Sequence, residues 1–102
     1  MPHFFFKLIA PRPTFAMDMN DQEKHLMQRH AQYWKARQDK GEVVVFGPVL
    51  DPNGPYGMGV VAAADDAAAR AFADADPVIT AGAGFRCEIN PMRAITRDTP
   101  LN

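Results

Sequence analysis

Apolar residues recur along the chain with two different periods, and the changes of period divide it into strands and helices. Short aromatic or β-branched runs bounded by Pro or Gly are typical of strands, and longer segments without Pro or Gly are typical of helices. The predicted order is strand, helix, strand, strand, helix, strand. The predicted strands are Phe4–Ala10, a run that begins at Glu42, Gly57–Ala64 and Phe85–Ile89, and the predicted helices are Asp18–Lys40 and Ala67–Ala75.

This order is the split βαβ pattern of ferredoxin-like folds, so we predict an α+β domain with a four-stranded antiparallel sheet and both helices on one face. The first strand directs Phe4 and Phe6 to one side of the sheet and Phe5 to the other. Because the helices cover only one apolar face, the other would stay exposed in a monomer, which is unusual. We therefore expect a homodimer that packs sheet against sheet. The second strand also divides its apolar side chains between the faces, with Val43, Val45 and Val49 opposite Val44 and Phe46.

The longer helix concentrates its apolar residues on one stripe, which must pack against the sheet. At about 100° per residue, Met27, His30 and Trp34 fall on this stripe. His30 is its unusual member because an ionisable imidazole lies among hydrophobes. Such a ring is either a hydrogen-bonded core histidine or a general acid or base, and the sequence leaves both interpretations open. The buried face of the shorter helix is expected to carry Ala68, Phe72 and Ala75.

Composition narrows the class of protein further. The 102 residues, of which 47% are hydrophobic and 23% charged, fit a single globular domain. We expect this domain to span residues 1–97 and a C-terminal tail to span residues 98–102. The formal net charge is -1 and no block of Lys or Arg occurs, which disfavours nucleic acid and anionic membranes as partners. The apolar run near the start is too short for a signal peptide or a membrane span, so the expected location is cytoplasmic.

Cysteine and histidine are too sparse for a metal site of the usual kinds. Cys87 is the single cysteine, and alternation places it on the apolar side of the last strand. His25 and His30 are five residues apart and project to different faces of the helix. The chain also lacks a phosphate-binding P-loop, a dinucleotide fingerprint, a serine elbow and the aromatic motif of RNA-recognition domains. We therefore expect no metal, no cofactor and no RNA partner.

Asp76 is the candidate partner of His30. A carboxylate directly before Pro77 lies in a turn, where it could accept a hydrogen bond from one imidazole nitrogen and fix the tautomer of the ring. Aspartate at an N-cap with proline at the first helical position is equally an ordinary helix start. The two roles do not exclude each other.

Two further pairs of residues are candidates for the wall of a pocket. Gly47-Pro48 interrupts a strong strand, so the strand should bend or bulge there. Such breaks are common in the walls of pockets, although a kinked edge strand would have the same sequence pattern. Trp34 and Phe46 could supply apolar surface to a pocket, although such aromatics are more often simple core residues.

Four features, in this order along the chain, resemble the YCII-related domain family. They are the aromatic residues of the first strand, the helical element Arg29–Trp34 with its Arg-His pair, the strand FGPVLDP over Phe46–Pro52, and DPVITAG over Asp76–Gly82. The resemblance extends over nearly the whole chain and implies a dimeric α/β barrel in which His30 and Asp76 form the proposed active-site pair. Some relatives are dehydrochlorinase-like proteins that act in the breakdown of chlorinated aromatic compounds.

The favoured function is a cofactor-independent lyase or isomerase, or a dehydrochlorinase-like enzyme, that acts on a small molecule such as an organic acid. His30 would move a proton and Asp76 would orient its ring. Trp34, Phe46, Gly47 and Pro48 would shape the substrate pocket. The alternative is a homodimer that binds a small ligand or an anion without catalysis, and a third interpretation is a purely structural dimerisation module.

Overall fold

The structure, a computed structural model, describes residues 1–97. The predicted tail over residues 98–102 lies outside the described residues, and the end of the domain at residue 97 stays a prediction. No helix in the described part of the chain is long and apolar enough to cross a membrane. The elements are β1 (His3–Ile9), α1 (Phe15–Asp18), α2 (Asp21–Asp39), β2 (Val43–Val49), β3 (Tyr56–Ala62), α3 (Asp66–Asp74), α4 (Pro77–Thr80) and β4 (Arg86–Met92).

The four strands form one antiparallel sheet in the order β2-β3-β1-β4. β1 lies between β3 and β4, so Phe6 pairs with Gly59 on one side and with Ile89 on the other. This strand order and the α+β composition confirm the predicted ferredoxin-like fold.

The main core lies between the sheet and the helices α2 and α3. Phe4 and Phe6 from β1 meet Trp34 from α2 and Phe72 from α3, and all four are buried. The Trp34 ring centroid is 4.7 Å from that of Phe72 and 5.5 Å from that of Phe6, which are favourable edge-to-face distances. On α3 the buried residues are Ala69, Phe72 and Ala73 instead of the predicted Ala68, Phe72 and Ala75.

The long helix begins three residues later than predicted because of its N-cap. Asn20 Oδ1 accepts from the backbone N–H of Glu23 at 2.8 Å, and the backbone N–H of Asn20 donates to Glu23 Oε1 at 3.0 Å. This capping box satisfies two backbone donors, those of Asn20 and Glu23, and starts α2 at Asp21. Asp18 belongs instead to the short helix α1. At the other end, Gly41 has a φ of 83°, the left-handed conformation that closes many helices.

The irregularity in β2 lies earlier than the sequence predicted. Val43 pairs with Val61 but Val45 pairs with Val60, so β2 holds one extra residue there. Because the bulge inverts the alternation, Phe46 joins Val43 on the helix side of the sheet. Beyond the bulge the pairing continues without a shift through Gly47-Pro48. A proline is tolerated at this place because β2 is an edge strand.

Candidate active site

Two helices bring His30 and Asp76 together. His30 lies in the middle of α2, and Asp76 is the N-cap of α4, which packs against α2. Asp76 Oδ1 accepts from the backbone N–H of Val78 at 3.1 Å, with Pro77 at the first helical position. The capping role foreseen for Asp76 is therefore present, and it leaves the other carboxylate oxygen free to face α2.

That second oxygen receives two side-chain donors. His30 Nδ1 lies 2.7 Å from Asp76 Oδ2, and Trp34 Nε1 donates to the same Oδ2 at 2.8 Å. Asp76 is only 3% exposed, so its charge must be balanced by hydrogen bonds. Since a carboxylate only accepts, the bond to His30 requires a proton on Nδ1. Nε2 is then the ring nitrogen that His30 can offer to a ligand.

A cavity of about 290 Å³ adjoins this cluster. His30, Asp76 and Trp34 border it from the helices, and Phe46 and Gly47-Pro48 border it from β2. The structure thus gathers every predicted site residue around one space. Apolar side chains form most of the remaining wall, among them Met19, Met27, Met58, Tyr56, Ile79 and Phe85.

The electrostatics of the cavity are simple. Among the described residues that line the cavity there is no Lys, Arg or Glu, and the acidic and imidazole side chains are Asp76 and His30. Burial raises the pKa of the Cys87 thiol, which also borders the cavity, to about 11. Cys87 therefore stays protonated at neutral pH and is a poor nucleophile. Within residues 1–97, no cluster of three or more His, Cys, Asp or Glu side chains could hold a metal ion.

The part of the wall that comes from α1 was not predicted from the sequence. Phe15 and Ala16 of α1 border the cavity together with Met19, which caps α1 and was predicted to lie in the long helix. The Phe15 ring packs edge-on against Phe85 with centroids 5.0 Å apart. An aromatic residue inside an otherwise loop-like segment was the available signal, because such a side chain is usually buried.

The bond from Trp34 to Asp76 was also missed. A buried indole N–H nearly always has an acceptor, and Trp34 stands one helical turn from His30 on the same stripe. The spacing could therefore have indicated that both side chains share a partner.

Fold and site together define a ferredoxin-like α+β protein in which a partly buried imidazole is paired with a buried carboxylate beside an apolar cavity. The chain belongs to the YCII-related domain family, whose family model matches residues 4–93. This match confirms the family that the motifs indicated. A comparison with curated proteins gives no match.

Among solved structures, the chain resembles 5-chloro-2-hydroxyhydroquinone dehydrochlorinase (TftG) from Burkholderia phenoliruptrix AC1100, in complex with 2,5-dihydroxybenzoquinone. The two share a TM-score of 0.58 at 16% sequence identity, over 88% of this chain and 93% of that chain. At this identity the similarity shows the common fold.

Proposed function

We propose that the protein is a cofactor-independent enzyme that transfers a proton on a small cyclic substrate, with His30 as general base and acid and Asp76 as its orienting partner. The observation that carries the proposal is the 2.7 Å contact between His30 Nδ1 and Asp76 Oδ2 at the edge of an apolar cavity. A buried carboxylate behind an imidazole stabilises the charged ring that forms when Nε2 takes a proton.

The cavity favours a particular class of substrate. Its volume of about 290 Å³ lies just below the roughly 300–1,000 Å³ typical of ligand sites, which suits a single substituted ring. A carboxylate substrate would find no Lys or Arg among the described lining residues. We therefore expect the acidic group of the substrate to be a ring hydroxyl that contacts His30, and not a carboxylate. The dihydroxybenzoquinone bound by the dehydrochlorinase is a ligand of this class and supports the assignment.

The chemistry follows from these parts. His30 Nε2 takes the proton of a ring hydroxyl, and the electron pair of the O–H bond stays on the substrate as an enolate. If the imidazolium then gives the proton to a ring carbon, the product is an isomer. If that carbon carries chlorine and is conjugated with a second ring hydroxyl, His30 takes the proton of this hydroxyl, its electron pair shifts through the ring to form a new C=C bond, and chloride leaves with its bonding pair, so the substrate has lost HCl. In both cases Asp76 holds the charged ring in place.

A substrate screen on matched histidine variants tests this proposal. Hydroxylated one-ring quinones and hydroxybenzenes, with and without chlorine, are offered without oxygen to wild type, His30→Ala and His25→Ala. His25 lies on the same helix but is exposed and does not border the cavity. We expect turnover by wild type and His25→Ala, and a loss of roughly 10²–10⁴-fold in His30→Ala.

Two results would contradict the proposal. Turnover that survives in His30→Ala would remove His30 from the chemistry. Ligands that bind to wild type without any conversion would favour the alternative, a homodimer that binds small ligands and does not catalyse.

A further inference from the structure

The carboxylate of Asp76 holds an arrangement that the proposed proton transfer does not by itself explain. Oδ2 accepts from His30 Nδ1 at 2.7 Å and from Trp34 Nε1 at 2.8 Å, while Oδ1 accepts from Val78 N–H at 3.1 Å. The bond between His30 Nδ1 and Asp76 Oδ2 is enough to orient the imidazole ring. The bond from the Trp34 indole therefore has a separate effect on Oδ2.

We propose that Trp34 is a positioning residue that fixes the tautomer of His30 through Asp76. The inference deepens the proposed function and rests on it in one respect, that the reacting atom of His30 is Nε2. Trp34 does not touch the reacting proton. It determines which ring nitrogen is free to take that proton.

The indole N–H of Trp34 can only donate, so Trp34 keeps its bond only while Asp76 Oδ2 remains a good acceptor. A proton on Oδ2 would turn that atom into a hydroxyl oxygen, and the charge-assisted bond from Trp34 would lose about half of its strength. The form with a protonated Asp76 and a proton on His30 Nε2 holds one proton more than the form with an ionised Asp76 and a proton on Nδ1, and this proton comes from solvent. Because the bond from Trp34 opposes the uptake of that proton on Oδ2, the favoured form has an ionised Asp76, a proton on Nδ1 and a free lone pair on Nε2. The ratio of the two forms is therefore compared at one fixed pH.

Packing around Trp34 keeps this donor aimed at Asp76. The indole lies directly on the backbone of Gly59, where an added Cβ would be 2.3 Å from Trp34 Cζ3. Phe72 and Phe6 contact the indole with ring centroids 4.7 and 5.5 Å away, and Trp34 is 5% exposed. These contacts hold the indole in the orientation in which its N–H points at Oδ2.

Nitrogen-15 NMR of the histidine rings in the ligand-free protein tests the inference, because the two neutral tautomers have different ring nitrogen shifts. The test variant is Trp34→Phe. The control is Tyr33→Phe, one position earlier on the same helix, which loses the 2.7 Å hydrogen bond that the Tyr33 hydroxyl donates to the carbonyl oxygen of Phe72. We expect the ratio of the two His30 tautomers to fall by about tenfold in Trp34→Phe, the equivalent of one hydrogen bond. Tyr33→Phe should keep the wild-type pattern.

A second form of the protein covers the case in which Trp34→Phe fails to fold. Trp34 is the only tryptophan, so growth on 3-benzothienylalanine replaces its indole N–H by sulfur at this position alone and preserves the shape of the ring. The same change of tautomer is expected. An unchanged His30 pattern in either folded form would overturn the inference.

The outcome is separable from that of the proposed function, because no substrate is needed. A tautomer change without any turnover would support the role of Trp34 and leave catalysis unsupported. His30-dependent turnover with an unchanged tautomer would overturn the role of Trp34 alone.

Discussion

The carboxylate of Asp76 combines two roles at the scale of a single residue, because each oxygen serves a different element. Oδ1 caps α4, and Oδ2 holds His30 and Trp34 of α2. The replacement Asp76→Asn keeps the shape of the side chain, but one carboxylate oxygen becomes an amide nitrogen. Because this nitrogen cannot accept a hydrogen bond, either the cap of α4 or the bonds from His30 and Trp34 are lost. We expect a loss of about 1.5–3 kcal/mol in the free energy of unfolding, as for a hydrogen bond to a buried charged group. Urea unfolding measures it.

The matched control for this change is Asp65→Asn. Asp65 caps α3 by accepting from the backbone N–H of Ala68 at 2.8 Å. Unlike Asp76, it is exposed, and among the described residues no His or Trp donates to it. Asparagine caps a helix as well as aspartate does, so this variant should unfold like wild type. Equal stability of both variants would show that the second oxygen of Asp76 contributes nothing.

Gly59 of β3 contacts the Trp34 ring, and its lack of a side chain leaves the space that the ring occupies. In Gly59→Ala the new Cβ would lie 2.3 Å from Trp34 Cζ3, so the indole must move. We expect destabilisation of roughly 1–3 kcal/mol, the usual cost of overpacking, together with a shift in the fluorescence of the single tryptophan. Gly47→Ala is the control, because a Cβ there would meet nothing within 4 Å. Wild-type fluorescence in Gly59→Ala would show that the Trp34 indole does not pack tightly against residue 59.

At the scale of elements, Arg12 ties α1 to the start of α2 through Asp18 at 2.8 Å and Glu23 at 2.7 Å. The bond from Arg12 is the main reason that the pKa of Glu23 is lowered from 4.5 to about 2. A lowered pKa in the folded state stabilises the protein above the unfolded value and is lost as the pH falls. We expect the contribution of Glu23 to be complete above about pH 4.5 and to disappear toward pH 2.

Arg12→Gln should remove most of this contribution. Its urea midpoint should therefore fall less steeply than that of wild type between pH 4.5 and pH 2, the interval set by the two pKa values of Glu23. The other carboxyl groups are common to both proteins, so the difference between the curves isolates the Arg12 cluster. Parallel curves over this interval would contradict the assignment.

The order of the elements could be predicted because each has a distinct apolar period, but two local features could not. Val43–Phe46 is uniformly apolar, so no polar residue marks where the bulge inverts the faces. α1 is four residues long, which is too short for a helical period to be visible. The pairing of His30 with Asp76 could be proposed from residue types, whereas the bond from Trp34 to the same oxygen was missed because an aromatic residue on an apolar stripe is more often a simple core residue.

At the scale of the whole molecule, the sheet face opposite the helices is the surface that the described chain leaves open. Phe5, Val60 and Val45 lie side by side across β1, β3 and β2 on this face. Val45, on the edge strand β2, is 48% exposed, whereas Val60, which lies between Val45 and Phe5, is 8% exposed. An exposed edge with apolar neighbours favours association. We propose that a second copy of the chain covers this face in a homodimer.

Val45→Glu tests this arrangement because Val45 is open to solvent in a single chain, so a carboxylate there should leave the fold intact. In a face-to-face dimer the same carboxylate would be buried without a partner, at a cost of several kcal/mol. We expect a wild-type dimer and a folded Val45→Glu monomer at micromolar concentration, measured by size exclusion with light scattering. Met17→Glu, at an 84% exposed position on α1, should remain dimeric. A monomeric wild type would refute the dimer, and a dimeric Val45→Glu would place the contact elsewhere than on this face.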